Sequence, residues 1–138
     1  QYAAVDQGNF SWAVANTSGI TGSINRITLA GPANRGDSPL VYAMVTDVNN
    51  NSNGVFRSNA FGVASWTKIS GAIDFGGVMG FHANAVEVHP DNPAIVAVGM
   101  VSAYLSENAN AATPTWEFIN TGTADYTDFE FVPAVVAA

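Results

Sequence analysis

The chain has no cysteine. That excludes disulfides, thiol catalysis and a zinc–thiolate centre, though it leaves secretion open. Basic residues are nearly as scarce: four Lys and Arg stand against eleven Asp and Glu, for a formal net charge of -7. Binding to nucleic acid needs a positive patch that neutralises phosphates, so that class is set aside. An anionic membrane surface is disfavoured for the same reason. No run of 18 apolar residues occurs, so no transmembrane helix is expected. The opening QYAAVDQGNF lacks the basic and apolar regions of a signal peptide. A start at Gln1 is therefore expected of a processed mature protein or of a segment of a longer chain. Convincing helical periodicity is also missing.

What is present is repetition, which is sought first because missing it mis-assigns the fold. Residues 54–69 read GVFRSNAFGVASWTKI. An aromatic strand ends in a serine, a turn with a glycine follows, and a second strand opens on Ser-Trp. The pattern occurs three times: as Tyr2, Ala4, Asp6, Gly8, Ser11 and Trp12; as Phe56, Ser58, Ala60, Gly62, Ser65 and Trp66; and as Tyr104, Ser106, Asn108, Asn110, Thr115 and Trp116. The third copy carries two extra residues before its tryptophan. All three tryptophans of the chain hold the same repeat position, 54 and 50 residues apart. Ser, Thr or Asp in such a turn bonds nearby backbone, Gly accepts a positive φ, and Trp offers a large apolar face. The motif thus fixes a hairpin.

Between the copies, alternation and turn residues predict further strands. Residues 24–30 alternate as a half-buried strand, 40–46 (LVYAMVT) form an apolar strand, and 47–53 a polar hairpin loop. Residues 85–89, 94–101, 103–106 and 115–120 repeat the series, with HPDNP as the turn after the first of them.

The repeated turn resembles the Asp-box, or bacterial neuraminidase repeat, S-x-D-x-G-x-x-[ST]-W, found in sialidases, xyloglucanase-type hydrolases and sortilin-type receptors. The resemblance covers nearly the whole chain and is carried by Asp6, Gly8, Trp12, Ser58, Gly62, Trp66, Ser106, Asn108 and Trp116. Ala4 replaces the Ser, Ala60 and Asn108 replace the Asp, and Asn110 replaces the Gly. The stretch AVEVHPDNPAIVAVG is similar to the first hairpin of such a blade. The resemblance implies an all-β fold of antiparallel four-stranded blades of an Asp-box β-propeller, about two whole blades with split half-blades at the ends. Residues 1–18 would supply the third and fourth strands of a first blade, 19–70 and 71–122 a blade each, and 123–138 the first strand and a short second strand of a last blade. In DFEFVPAVVAA, Phe129 and Phe131 match Val86 and Val88, and Pro133 matches Pro90. Three blade equivalents do not close a propeller, since about four to eight are needed. The chain is then part of a larger propeller, or copies exchange half-blades and close a ring, or a head-to-tail contact builds a filament.

Each candidate for chemistry has a plain alternative. Arg35, Gly36 and Asp37 spell the integrin tripeptide in a loop where an ordinary turn is the favoured reading. Asp47, Asn49, Asn51 and Gly54 resemble a calcium loop loosely, but Ser52 and Ser58 stand where Gly and Glu belong, which favours a polar hairpin. His82, Glu87 and His89 lack a third metal ligand on a common face, and His89-Pro90-Asp91 reads as a turn. Asp74, Asp125, Asp128 and Glu130 are the carboxylates for glycoside hydrolysis. A sialidase-like site needs an arginine cluster, and only Arg26, Arg35 and Arg57 exist. Asn9, Asn16 and Asn50 head glycosylation sequons.

The sequence therefore reads as a non-catalytic structural or interaction module of an extracellular, secreted or cell-surface Asp-box protein, with no cofactor or metal. Its expected partner is itself, as an oligomer or filament, or the rest of a larger propeller, with glycans as a further ligand and no nucleic acid or membrane insertion. The alternatives are a segment of a glycoside hydrolase whose site is completed outside this chain, and a glycan-binding propeller.

Overall fold

A computed structural model describes residues 2–6, 9–13, 17–33, 38–119 and 125–132, the first two stretches by backbone alone. Among these residues there is no helix and no span long and apolar enough to cross a membrane as one. The strands are β1 (Tyr2–Asp6), β2 (Asn9–Ala13), β3 (Ile24–Ala30), β4 (Val41–Asp47), β5 (Ser52–Ser58), β6 (Thr67–Lys68), β7 (Ala85–Val88), β8 (Val96–Gly99), β9 (Ala103–Ser106) and β10 (Glu117–Phe118). They form a β1–β2 hairpin and two antiparallel four-stranded sheets, ordered β3-β4-β5-β6 and β10-β9-β8-β7. Both sheets are simple meanders, the arrangement that short polar turns between consecutive strands enforce.

The middle strands are apolar along their whole length because both of their faces are covered. β4 has five consecutive buried residues, and all of β8 is buried. β3 lies at a sheet edge and alternates half-buried with exposed. One face of the first sheet, through Tyr42, Met44 and Val55, joins Val86, Val88, Val96 and Val98 of the second in a single core. The opposite face gathers Ala43, Val45, Phe56 and Trp66. Burial of these side chains is the main stabilising term, roughly 1.5–3 kcal/mol for each large one.

Side chains of one sheet also bond backbone groups of the other. Thr28 Oγ1 donates to Asn84 O at 3.0 Å, the Tyr42 hydroxyl to Pro93 O at 2.6 Å, and the Trp116 indole to Ile69 O at 3.0 Å. Arg57 Nη1 donates to Ala109 O and Ala111 O at 2.7 and 2.8 Å. Burial pushes the Tyr42 phenol up to about 12, with the nearby Arg57 charge opposing the rise.

The fourth strands are shorter than the sequence suggested. Residues 115–120 were expected to pair, yet β10 holds two residues. β6 is equally short, for a visible reason. Val55 N–H takes the Ser70 hydroxyl at 3.0 Å, where a ladder would offer a backbone carbonyl. The side chain ends the sheet at that point. Residues 125–132, expected to open a strand, carry no ladder. They lie instead across the second sheet, with Tyr126 N–H bonded to Met100 O at 2.7 Å and Phe131 against His89 at 5.1 Å.

Candidate functional site

The box turns are built from their own side chains. In the second copy, Ser58 Oγ accepts from Gly62 N–H at 3.2 Å and lies 3.4 Å from Ala60 N. Phe61 and Gly62 both take positive φ, 52° and 77°; glycine does so freely, and phenylalanine only because the turn holds it. In the third copy Asn108 stands where Asp6 stands in the first. Its Oδ1 accepts from Thr115 N–H at 2.8 Å and from the Thr115 hydroxyl at 3.1 Å, spanning the two extra residues of that copy. Ser106 Oγ accepts from Asn108 N–H and donates to its Oδ1. A carboxamide oxygen thus does what a carboxylate oxygen would do, without charge. Asn108→Ala is expected to lower the urea midpoint by the equivalent of about 1–2 kcal/mol, and Asn108→Asp to match or exceed the parent. An Asp variant as weak as the Ala variant would overturn this role. Trp66 is buried, and Trp116 packs at the edge of the shared core. For the first copy, β1 and β2 pair with Asp6 opposite Asn9 and Ala3 opposite Trp12. The side chains of Asp6, Asn9 and Trp12, together with Gly8, Asn16, Arg35, Gly36, Asp37 and Pro133, lie outside the described residues.

The remaining polar candidates take separate partners. Asp47 Oδ1 accepts from the Asn49 and Asn51 amides at 2.8 and 2.9 Å, closing a hairpin turn. Asn50 sits at φ 66°, and its Oδ1 accepts from Asn25 Nδ2. Asp74 Oδ1 caps Gly76 N–H at 2.9 Å. His89 Nδ1 accepts from Asp91 N–H, which makes it a turn residue, whereas His82 Nε2 lies 3.7 Å from Asp125 Oδ2. Arg26 holds the carbonyls of Phe81 and His82. Among the described residues no three His, Asp or Glu converge as a metal group.

Two arrangements escaped the sequence reading. The first is the influence of Asp128 on Glu87, residues assigned above to different candidate sets. Burial, and then the negative charge of Asp128, raises the Glu87 carboxyl above its ordinary value. Its proton is therefore held more tightly in the folded chain, so this group favours folding at low pH. That contribution is lost as pH rises through the raised value. Glu87→Gln is expected to be more stable than the parent at pH 7, with the difference vanishing below the ordinary value of 4.5. Urea titrations at both pH values check it, and a variant less stable at pH 7 would contradict it. The second is an open cleft of about 380 Å³ between the 21–23 loop and the β4–β5 turn, with Thr21, Asp47, Ser52, Asn53 and Lys68 on its walls. Only a turn signal marked those positions in the sequence.

Arg57 lies in β5, the third strand of its sheet, but the sequence pattern assigned it no contact there. A signal existed: the residue before the box serine position is Ala3 in the first copy and Leu105 in the third.

Comparison of the chain with protein-family models, curated proteins and solved structures found no match in any of the three.

Proposed function

We propose that the chain is a non-catalytic structural or interaction module, built as consecutive blades of an Asp-box β-propeller in an extracellular protein. The observation that carries this reading is the use made of the box and its neighbours. Ser58, Ser106 and Asn108 hold the turns, while Arg57 and Trp116 fasten one sheet to the next. Arg57, a cation that a sialidase-like site would need for a substrate carboxylate, is buried and bonded to backbone carbonyls. Sheet stacked on sheet, with 125–132 continuing the stack, is the layering that neighbouring blades require.

One observation favours a second reading, a segment of a glycoside hydrolase. Burial, and then the charge of Asp128, raises the Glu87 carboxyl towards the protonated form that a general acid uses. A panel of polysaccharides and aryl glycosides separates the two. No release of reducing sugar above the blank is expected. Turnover that disappears in Asp128→Asn would overturn the module reading in favour of the enzyme.

A further inference from the structure

The two sheets are related by their boxes, and this relation identifies a surface that is open in one sheet and closed in the other. Ser58 pairs with Val41, and Ser106 pairs with Val96. Val41 therefore corresponds to Val96, and Ala43 to Val98. Across the next ladder Leu29 pairs with Ala43, and Val86 with Val98. Leu29 thus corresponds to Val86, and Ile27, two residues earlier on the same face, to Asn84. Asn84 and Val86 are 0% and 6% exposed beneath the first sheet, where Thr28 reaches over to the Asn84 carbonyl. Ile27 and Leu29 are 37% and 48% exposed. An apolar pair lies open where its counterpart is covered by the edge strand of another layer.

The covering layer has a recognisable form within the chain. On the far side of the second sheet, 125–132 runs from Gly99 towards His89, parallel to β7. A Cβ on Gly99 would lie 2.9 Å from Phe129, Tyr126 stacks on Phe129 at 5.2 Å, and Phe131 meets the His89 ring. Phe129 and Phe131 thus face the second sheet as Val86 and Val88 face the first. This stretch continues the stack by one layer, its backbone has no ladder partner among the described residues, and Val132 is 75% exposed.

We propose that the outward face of β3, with Ile27 and Leu29 at its centre, is a docking surface for the 125–132 stretch of a second copy of this chain. The contact between copies repeats the contact between the two sheets within a copy, so copies add head to tail. Such a contact joins different surfaces of the two partners, and it closes into a ring or extends as a filament according to the rotation per step. The inference rests on the reading of the sheets as repeated units of one array.

The chain lacks cysteine, so the contact can be trapped directly. Leu29→Cys and Val132→Cys are made singly. Under mild oxidation an equimolar mixture is expected to give several-fold more disulfide dimer than either variant alone. In parallel, light scattering on the unmodified chain across a concentration series is expected to show mass growing beyond one copy. The Ile27→Lys/Leu29→Lys variant should weaken that association at least tenfold while keeping a cooperative melt, since both side chains are exposed within one copy. The proposal is overturned by a cooperatively folded monomer at every concentration, or by a chain unfolded at every concentration. Association that ignores the lysines, or a mixture that cross-links no better than its components, overturns it equally. A folded monomer that hydrolyses nothing removes this inference and leaves the module reading standing, whereas hydrolysis removes the module reading whatever the particle mass.

Discussion

Arg57→Leu is expected to lower the unfolding free energy by about 2–4 kcal/mol, which is a large share of the roughly 5–15 kcal/mol of a typical domain. Arg57 is 8% exposed, and its Nη1 bonds two carbonyls of the turn after β9. A hydrogen bond to a charged group contributes about 1.5–3 kcal/mol, and the two carbonyls would be left in a site that leucine keeps dry. An opposing term reduces the loss. The guanidinium is buried away from water, its Nε has no hydrogen-bond partner among the described residues, and removing a desolvated charge recovers part of its solvation cost. The bonds outweigh this relief because carbonyl dipoles already replace much of the lost hydration. Arg57→Lys keeps a charge on a flexible stem but not the planar fork, so an intermediate loss is expected. Urea titration of both variants decides the matter. A loss under about 1 kcal/mol for the leucine variant would mean that the turn finds other partners and that the two sheets are held by apolar packing alone.

That contact illustrates what a sequence of this kind exposes and what it hides. The strand series was legible because β4 and β8 are unbroken apolar runs between turn residues, and the boxes mark where each third strand ends. The work of Asn108 was legible too, because the motif states which position must offer an oxygen to the turn. The partners of Arg57 were not, since they are backbone carbonyls, and every residue type carries one. Glu87 and Asp128 are separated by forty residues of chain, and the effect of one charge on the other depends on 125–132 crossing the second sheet, which no local pattern encodes. The length of β6 was hidden for a similar reason. It is set by one hydroxyl, that of Ser70, competing with a ladder bond, and alternation cannot register such a contest.

Of the two tryptophans whose side chains are described, Trp66 is expected to be the more damaging to remove: Trp66→Ala should cost about 3–5 kcal/mol, the range for emptying a buried large aromatic site. Trp66 is 6% exposed and packs with Ala43, Val45 and Phe56 on the face of the first sheet turned away from the second. Its surroundings cannot collapse easily into the space. The Trp66 backbone N–H is bonded to Ser18 O at 2.7 Å, and Gly19, at φ 93°, fits there only because it lacks a Cβ, which would run into the Trp66 carbonyl. The turn at 18–19 is therefore fixed by backbone on both sides and has little freedom to follow a smaller side chain, so most of the cavity would persist. Trp116→Ala is expected to be milder, although it gives up the bond to Ile69 O, because Trp116 is only half-buried and water can enter where it stood. Trp116→Phe should then isolate the lost bond at about 1 kcal/mol. Urea midpoints for the three variants test the ordering. If Trp116→Ala proves the more damaging, stability resides in the joint between the two sheets, and the outer face of the first sheet is held by little more than its own ladder.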